Sequence, residues 1–226
     1  CYRYSRLLCY HLSSLLLSPP TVPTQVTVFT SPCDEYTLRA VDYFHTLGLS
    51  VRAWPLERAE LFRRSIGRNM AARATEADLV WFADCDYWFG EGCLDSLTIC
   101  TEEHLYTPQR VVIHKQHELG DKCIHRLTLG CPRLVDISPE DFMSRRVRRA
   151  IGGIQIVTGD TARKHGYLET WRKGRYMKPS NDSGFQRCAM DSQYRKMLVQ
   201  QGIATKHISI PNTFRLRHSA VGRVTP

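Results

Sequence analysis

The residues whose types and spacing could do chemistry lie in Asp78 to Gly90, DLVWFADCDYWFG, where an apolar run ends in Asp84, Cys85 and Asp86. Carboxylates at i and i+2 of an extended chain point the same way, so both could face one divalent cation or its water shell. Hard oxygen ligands in an otherwise basic chain suit Mn²⁺ or Mg²⁺ held against a diphosphate. The competing reading is that the two acids cap a helix beginning near Glu91. Position favours the metal: ligands gather at the carboxyl ends of strands in open α/β sheets, and these acids follow an apolar strand at once.

The segments that must position this pair alternate between strand and helix patterns, which gives α/β architecture. Leu7, Leu8, His11, Leu12, Leu15 and Leu16 recur at helical spacing before the stop at Pro19 and Pro20. QVTVFT, residues 25 to 30, predicts a strand, and Asp34 an N-cap for a helix ending at Gly48. Residues 51 to 56 predict a second strand, 60 to 74 a helix carrying Arg63, Arg64 and Arg68, and 78 to 82 a strand buried on both faces. Further strands are expected over 111 to 114, 154 to 157 and 214 to 217. Helices are expected from Asp160 to His165 and from 190 to 200, with a long loop over 171 to 187.

The chain has 226 residues, of which 42% are hydrophobic, 23% charged and 10% aromatic, a globular composition that excludes disorder, collagen-like repeats and coiled coils. Lysine and arginine number 31 against 22 acids, a formal charge of +9, which favours anionic partners such as nucleotides, phosphates or acidic membrane surfaces. No apolar run approaches the ~20 residues of a transmembrane helix, and residues 1 to 17 do not read as a signal peptide. Nine cysteines without a C-x-x-C pair suggest neither a zinc site nor a disulfide framework, so a reducing cytoplasm is expected, with peripheral membrane contact left open. No zinc-finger spacing or RNP-like stretch recommends a nucleic-acid partner. Cys1 opens directly onto a patterned segment, so the chain reads as a fragment of a longer product.

Four segments in order resemble glycosyltransferase family 2 and its GT-A type relatives. Residues 1 to 15, CYRYSRLLCYHLSSL, are similar to the turn and helix after the family's first strand. IGRNMAARATEA, 66 to 77, is similar to the Arg-Asn helix leading into the D-x-D strand. AIGGIQIVTGDTARKHGYL, 150 to 168, resembles the acceptor-side Gly-Gly segment, and MDSQYRKML, 190 to 198, the start of the family's E-D helix. The resemblance implies a single Rossmann-like domain over 1–226 with a mixed, mainly parallel central sheet flanked by helices. Residues 1–101 would form the nucleotide-binding half and 102–226 the acceptor-binding half, with the first strand missing before Cys1.

It further implies a metal-dependent, inverting transfer of a sugar from a nucleotide-diphosphate donor to a hydroxyl on a glycan, lipid or other acceptor, although retention stays open. Asp191 would be the base, with Met190 standing where the family has the first acid of its E-D pair. Asp86 would be the more direct metal ligand, Asp84 would meet ribose or the metal's water shell, and His218, in FRLRHS, would complete the metal site. Arg68 beside Asn69 is best placed for the nucleotide, and Asp34 could meet base or ribose. On the acceptor side stand Gly152 and Gly153, which allow close approach. Asp160, a sugar contact or helix cap, and Trp171, a stacking surface, join them. The loop cations Arg172, Lys173, Arg175 and Lys178, with Tyr176, could close over the diphosphate. A second basic run, Arg145, Arg146, Arg148 and Arg149, reads as a solvated face. The alternatives are a nucleotidyltransferase, for which no glycine-rich phosphate loop is present, and a catalytically silent GT-A-like binding protein.

Overall fold

The fold is described from a computed structural model covering residues 1–148, 152–168 and 190–219. The leucine spacing near the start forms helix α1 (Ser5–Leu17), which is buried on nearly every side rather than along one stripe. Two of its buried polar side chains reach distant carbonyls: His11 Nδ1 donates to the Tyr87 carbonyl at 2.7 Å, and Tyr10 Oη to the Cys123 carbonyl at 3.0 Å. Strand β1 (Val26–Thr30) and helix α2 (Glu35–Thr46) follow, with Asp34 capping α2 by accepting from the Thr37 amide. Strand β2 (Val51–Pro55) pairs in parallel with β1, as a β-α-β unit requires. The helix expected over 60 to 74 is broken into α3 (Arg58–Leu61) and α4 (Arg64–Ala74).

Strand β3 (Leu79–Ala83) leads through a turn to the short β4 (Tyr87–Phe89). Then come β5 (Leu105–Pro108), β6 (Arg110–His114), α5 (His117–His125), β7 (Phe142–Arg146), β8 (Ile154–Thr158), α6 (Gly159–His165), α7 (Met190–Gln200), β9 (Thr205–Ile208) and β10 (Thr213–Arg215). Strands β4, β5, β7 and β9 and helix α5 carry no expectation from the sequence; they are short or weakly patterned. The long loop expected over 171 to 187, with Trp171, Arg172, Lys173, Arg175, Tyr176 and Lys178, lies outside the described residues, as does Arg149.

The α/β class holds, but in place of one central, mainly parallel sheet the described strands form a β1-β2 pair and two four-stranded sheets, β4-β10-β6-β7 and β3-β8-β5-β9. The second departure is direction: β3-β8, β5-β8, β4-β10 and β6-β7 are antiparallel, whereas β1-β2, β6-β10 and β5-β9 are parallel. Strand β3 is an edge in this order, so only Phe82 is fully buried and the expectation of burial on both faces fails. The cores are layered to match. One packs α1 against α2, β1 and β2, one lies under β4, β6 and β8, and a third joins β3 and β8 to α6 and α7 through Phe82, Val157, Tyr167 and Leu198. Burial of these apolar side chains contributes roughly 1.5–3 kcal/mol each before chain entropy is set against it.

Candidate functional site

The antiparallel register of β3 and β8 pairs Ala83 with Ile154, so the residues just beyond, Asp84 and Gly153, are carried side by side. A Cβ on Gly153 would stand 3.0 Å from Asp84 Oδ2 and overlap the Tyr87 ring. A Cβ on Gly152 would overlap the Asp191 carboxylate. The two glycines thus admit side chains from β3's exit and from the first turn of α7, which approach closely because nothing stands between them.

Arg64 and Arg68 are one helical turn apart on α4 and face the same way. Arg68 Nη2 donates to Asp84 Oδ1 at 2.7 Å, and its Nη1 to Asp191 Oδ1 at 2.9 Å. Arg64 repeats the bridge more loosely, at 3.1 Å to Asp84 Oδ1 and 3.4 Å to Asp191 Oδ2. The Arg68 side chain is 9% exposed and that of Arg64 30%, so one clamp is fixed and the other is within reach of solvent. Burial by itself would raise the Asp84 carboxyl; Arg68 and Arg64 outweigh it and hold the group below the usual carboxylate range.

Tyr167, just beyond α6, completes the arrangement. Its hydroxyl accepts from Arg68 Nη1 at 2.9 Å and lies 2.7 Å from Asp191 Oδ1 and 2.8 Å from Gln155 Oε1, within which pair its one proton is donated. Gln155 Nε2 in turn donates to the Asp191 carbonyl at 3.1 Å. Burial, reinforced by the Asp191 carboxylate, raises the Tyr167 phenol well above its ordinary value despite Arg68, so it acts as a neutral donor. Asn69 Oδ1 accepts from the Tyr167 amide at 2.9 Å, which makes Asn69 a support for Tyr167.

Asp86 sits differently from its partner. The expected extended D-x-D is a turn between strands of two different sheets: Asp84 faces α4, while Asp86 Oδ2 accepts from Arg215 Nε of β10 at 2.9 Å. No helix begins at Glu91; the chain enters β4 and later a short 3₁₀ turn, Asp95–Ile99, so helix capping is not what these acids do. Asp86 Oδ1 is buried and has no hydrogen-bond partner among the described residues. Burial pushes the Asp86 carboxyl up, Arg215 opposes, and the nearby Asp84 charge adds to the rise. Burial also pushes the intervening Cys85 thiol up to about 12, so it stands there as a neutral side chain.

The remaining expected residues are placed as follows. Asp34 is buried in its capping role, accepting from the Thr37 amide and hydroxyl and from the Arg3 amide at 2.6 Å. Asp160 does not cap α6, because the Thr158 hydroxyl accepts from the Thr161 amide instead; the Asp160 side chain is 84% exposed and paired with Arg163. His218 Nδ1 bonds the Ser219 carbonyl at 2.7 Å, its ring meets Tyr4 edge-on, and it lies close enough to influence the Asp86 carboxyl. Among the described residues no three His, Cys, Asp or Glu side chains form a ready-made metal cluster. The oxygens that fit a cation are the orphaned Asp86 Oδ1 and Asp84 Oδ2, which accepts no hydrogen bond among the described residues. Tyr167, Gln155 and Arg215 are missing from the sequence reading. Each is a lone polar residue inside or beside an apolar segment, with no spacing to distinguish it. Compared with known proteins, the chain matches no family model, no curated protein and no solved structure.

Proposed function

We propose that the Asp84–Asp86–Asp191 site transfers a sugar from a nucleotide-diphosphate donor to an acceptor hydroxyl, with Mn²⁺ or Mg²⁺ as cofactor. The observation that carries this reading is convergence. Arg68, Asp84, the Gly152–Gly153 pair and Asp191, far apart in sequence, meet around two guanidiniums and a glycine gap. Asp86 Oδ1 and Asp84 Oδ2, neither with a hydrogen-bond partner among the described residues, would hold the divalent ion. When bound, the ion supplies charge neutralisation for the departing diphosphate.

The chain's own residues do the rest. Arg64, the more exposed and more loosely held guanidinium, moves to the donor's phosphates on binding and so releases Asp191 Oδ2. Arg68 and Tyr167 keep Asp191 Oδ1 fixed, leaving Oδ2 to take the acceptor hydroxyl's proton in a single displacement. His218, close enough to influence Asp86, is the candidate for a third ligand, and its imidazole would favour Mn²⁺. A second reading, a silent binding protein, draws on Asp191 having both oxygens engaged.

Thermal melting with UDP and GDP, each with and without Mn²⁺ or Mg²⁺, separates the two. Ligands that bind the native state raise its melting temperature, and the rise is expected only when nucleotide and metal are both supplied. An unchanged curve across the panel would leave the silent reading in possession.

A further inference from the structure

A second feature lies on the β4-β10-β6-β7 sheet. A cleft of about 650 Å³ opens over Val111 and Ile113, and its walls are Arg145, Arg146, Arg148, Arg215 and Arg217. Register explains the gathering: Arg145 pairs with Val111 across β6-β7 and Arg215 with Ile113 across β6-β10, so these four side chains share one face. Among the described residues, Arg215 alone of the five guanidiniums meets a carboxylate, that of Asp86. Arg217 donates to His117 Nε2, and Arg145, Arg146 and Arg148 form no ion pair among the described residues.

Arg145, Arg146 and Arg148, expected as part of a solvated face, are exposed, and they also form part of a concave wall with an apolar floor. Like charges gathered in a cleft repel one another and focus a positive potential on what enters. Guanidinium forks match carboxylate and phosphate oxygens two at a time. Among the described residues no aromatic side chain lines the cleft, so these residues offer no stacking platform for successive bases. Arg215 ties the cleft to the candidate site, lining one and holding Asp86 in the other.

We propose that this cleft is the acceptor subsite and that it takes a small acceptor carrying an oxyanion, phosphate or carboxylate, on an otherwise uncharged body. The assignment rests on the transfer reading above. The acceptor hydroxyl forms the new bond to the sugar's anomeric carbon as the bond from that carbon to the diphosphate oxygen breaks. The hydroxyl proton passes to Asp191, and the bonding electron pair leaves with the nucleotide diphosphate.

Calorimetry on the intact chain with glucose 6-phosphate, glucuronate and glucose tests it. Both anions are expected to bind, with glucose weaker by about ten-fold or more, and affinity should fall with added salt. Arg145→Glu should weaken anion binding by about ten-fold or more, and Arg145→Lys should retain part of it. The UDP–Mn²⁺ melting shift should survive Arg145→Glu. Equal binding of glucose, or anion affinity indifferent to Arg145→Glu, overturns the proposal, and so does a single-stranded oligonucleotide bound more tightly than either anion through Arg145. Arg145-dependent anion binding without any nucleotide–metal shift upholds an anion cleft and overturns transfer, so the two failures are distinct.

Discussion

Arg68 Nη1 and the Tyr167 hydroxyl stand 2.9 Å apart, and both meet the same oxygen of Asp191. The first turn of α7 is thereby tied to α4 and to the residue after α6 through one buried junction. Removing the cation leaves two carboxylates facing each other with only the looser Arg64 between them. Arg68→Leu is expected to cost about 3 kcal/mol of unfolding free energy, the range found when one partner of a buried pair is deleted. Urea denaturation reads it, and a loss under about 1 kcal/mol would show that the junction is not structural.

Gly152 and Gly153 are the close-approach points. Gly152→Ala must displace the Asp191 carboxylate or the backbone beside it, and Gly153→Ala meets the Tyr87 ring and Asp84. Each should destabilise by about 1–3 kcal/mol, as overpacking does. Melting temperatures of both variants check this, and wild-type values would mean that the glycine gap is wider than the contacts require.

Asp86 is a buried acid whose carboxyl is raised and whose Oδ1 has no partner among the described residues. An unfolded aspartate loses its proton near pH 3.9, while the folded one holds its proton to higher pH. Stability is therefore lost as pH climbs from the unfolded value through the folded one, and the full cost is present above the latter. Asp86→Asn removes this pH-dependent cost but also leaves the Arg215 guanidinium without its carboxylate, so the variant's stability relative to wild type should rise with pH between about 4 and 7. Asp84, whose carboxyl is lowered, acts with the opposite sign: its contribution is present above the unfolded value and lost as pH falls through the folded one. Parallel pH series on wild type and Asp86→Asn decide the matter, and a stability difference that stays flat or falls as pH rises would contradict it.

Asp191 and Arg64 separate chemistry from binding. Asp191→Asn should lower transfer by about 10²- to 10⁴-fold, the worth of a positioned general base, while nucleotide binding persists. Arg64→Ala removes a partly exposed clamp and should cost under about 1 kcal/mol of stability while weakening the metal-dependent nucleotide shift. Turnover retained in Asp191→Asn, measured as nucleotide diphosphate release, would take the base role away from it.

Much of the chain could be read from residue order alone, because local signals are enough for local structure. The leucine spacing of α1, the Asp34 cap, the apolar stretches of β1, β3 and β8 and the helix starting at Met190 all lie within about a residue or two of where pattern places them. Asp84 stands out because it ends an apolar strand, whereas Asp191, the double glycine and Arg68, which lies inside α4, were singled out through the order of segments that resembles a known family.

Pairing was not legible. Which strands share a sheet depends on contacts between residues a hundred positions apart, and short strands such as β4 and β10 carry too little periodicity to declare their partners. For the same reason Asp84 and Asp86 looked alike in sequence yet face different guanidiniums, Arg68 and Arg215, across a turn. Tyr167 and Gln155 became visible only once β8, α6 and α7 closed around them. Sequence determined which residues carry charge and where the strongly patterned helices and strands begin; tertiary structure decided which charges are buried together, because desolvation and pairing depend on neighbours that the chain reaches only by folding.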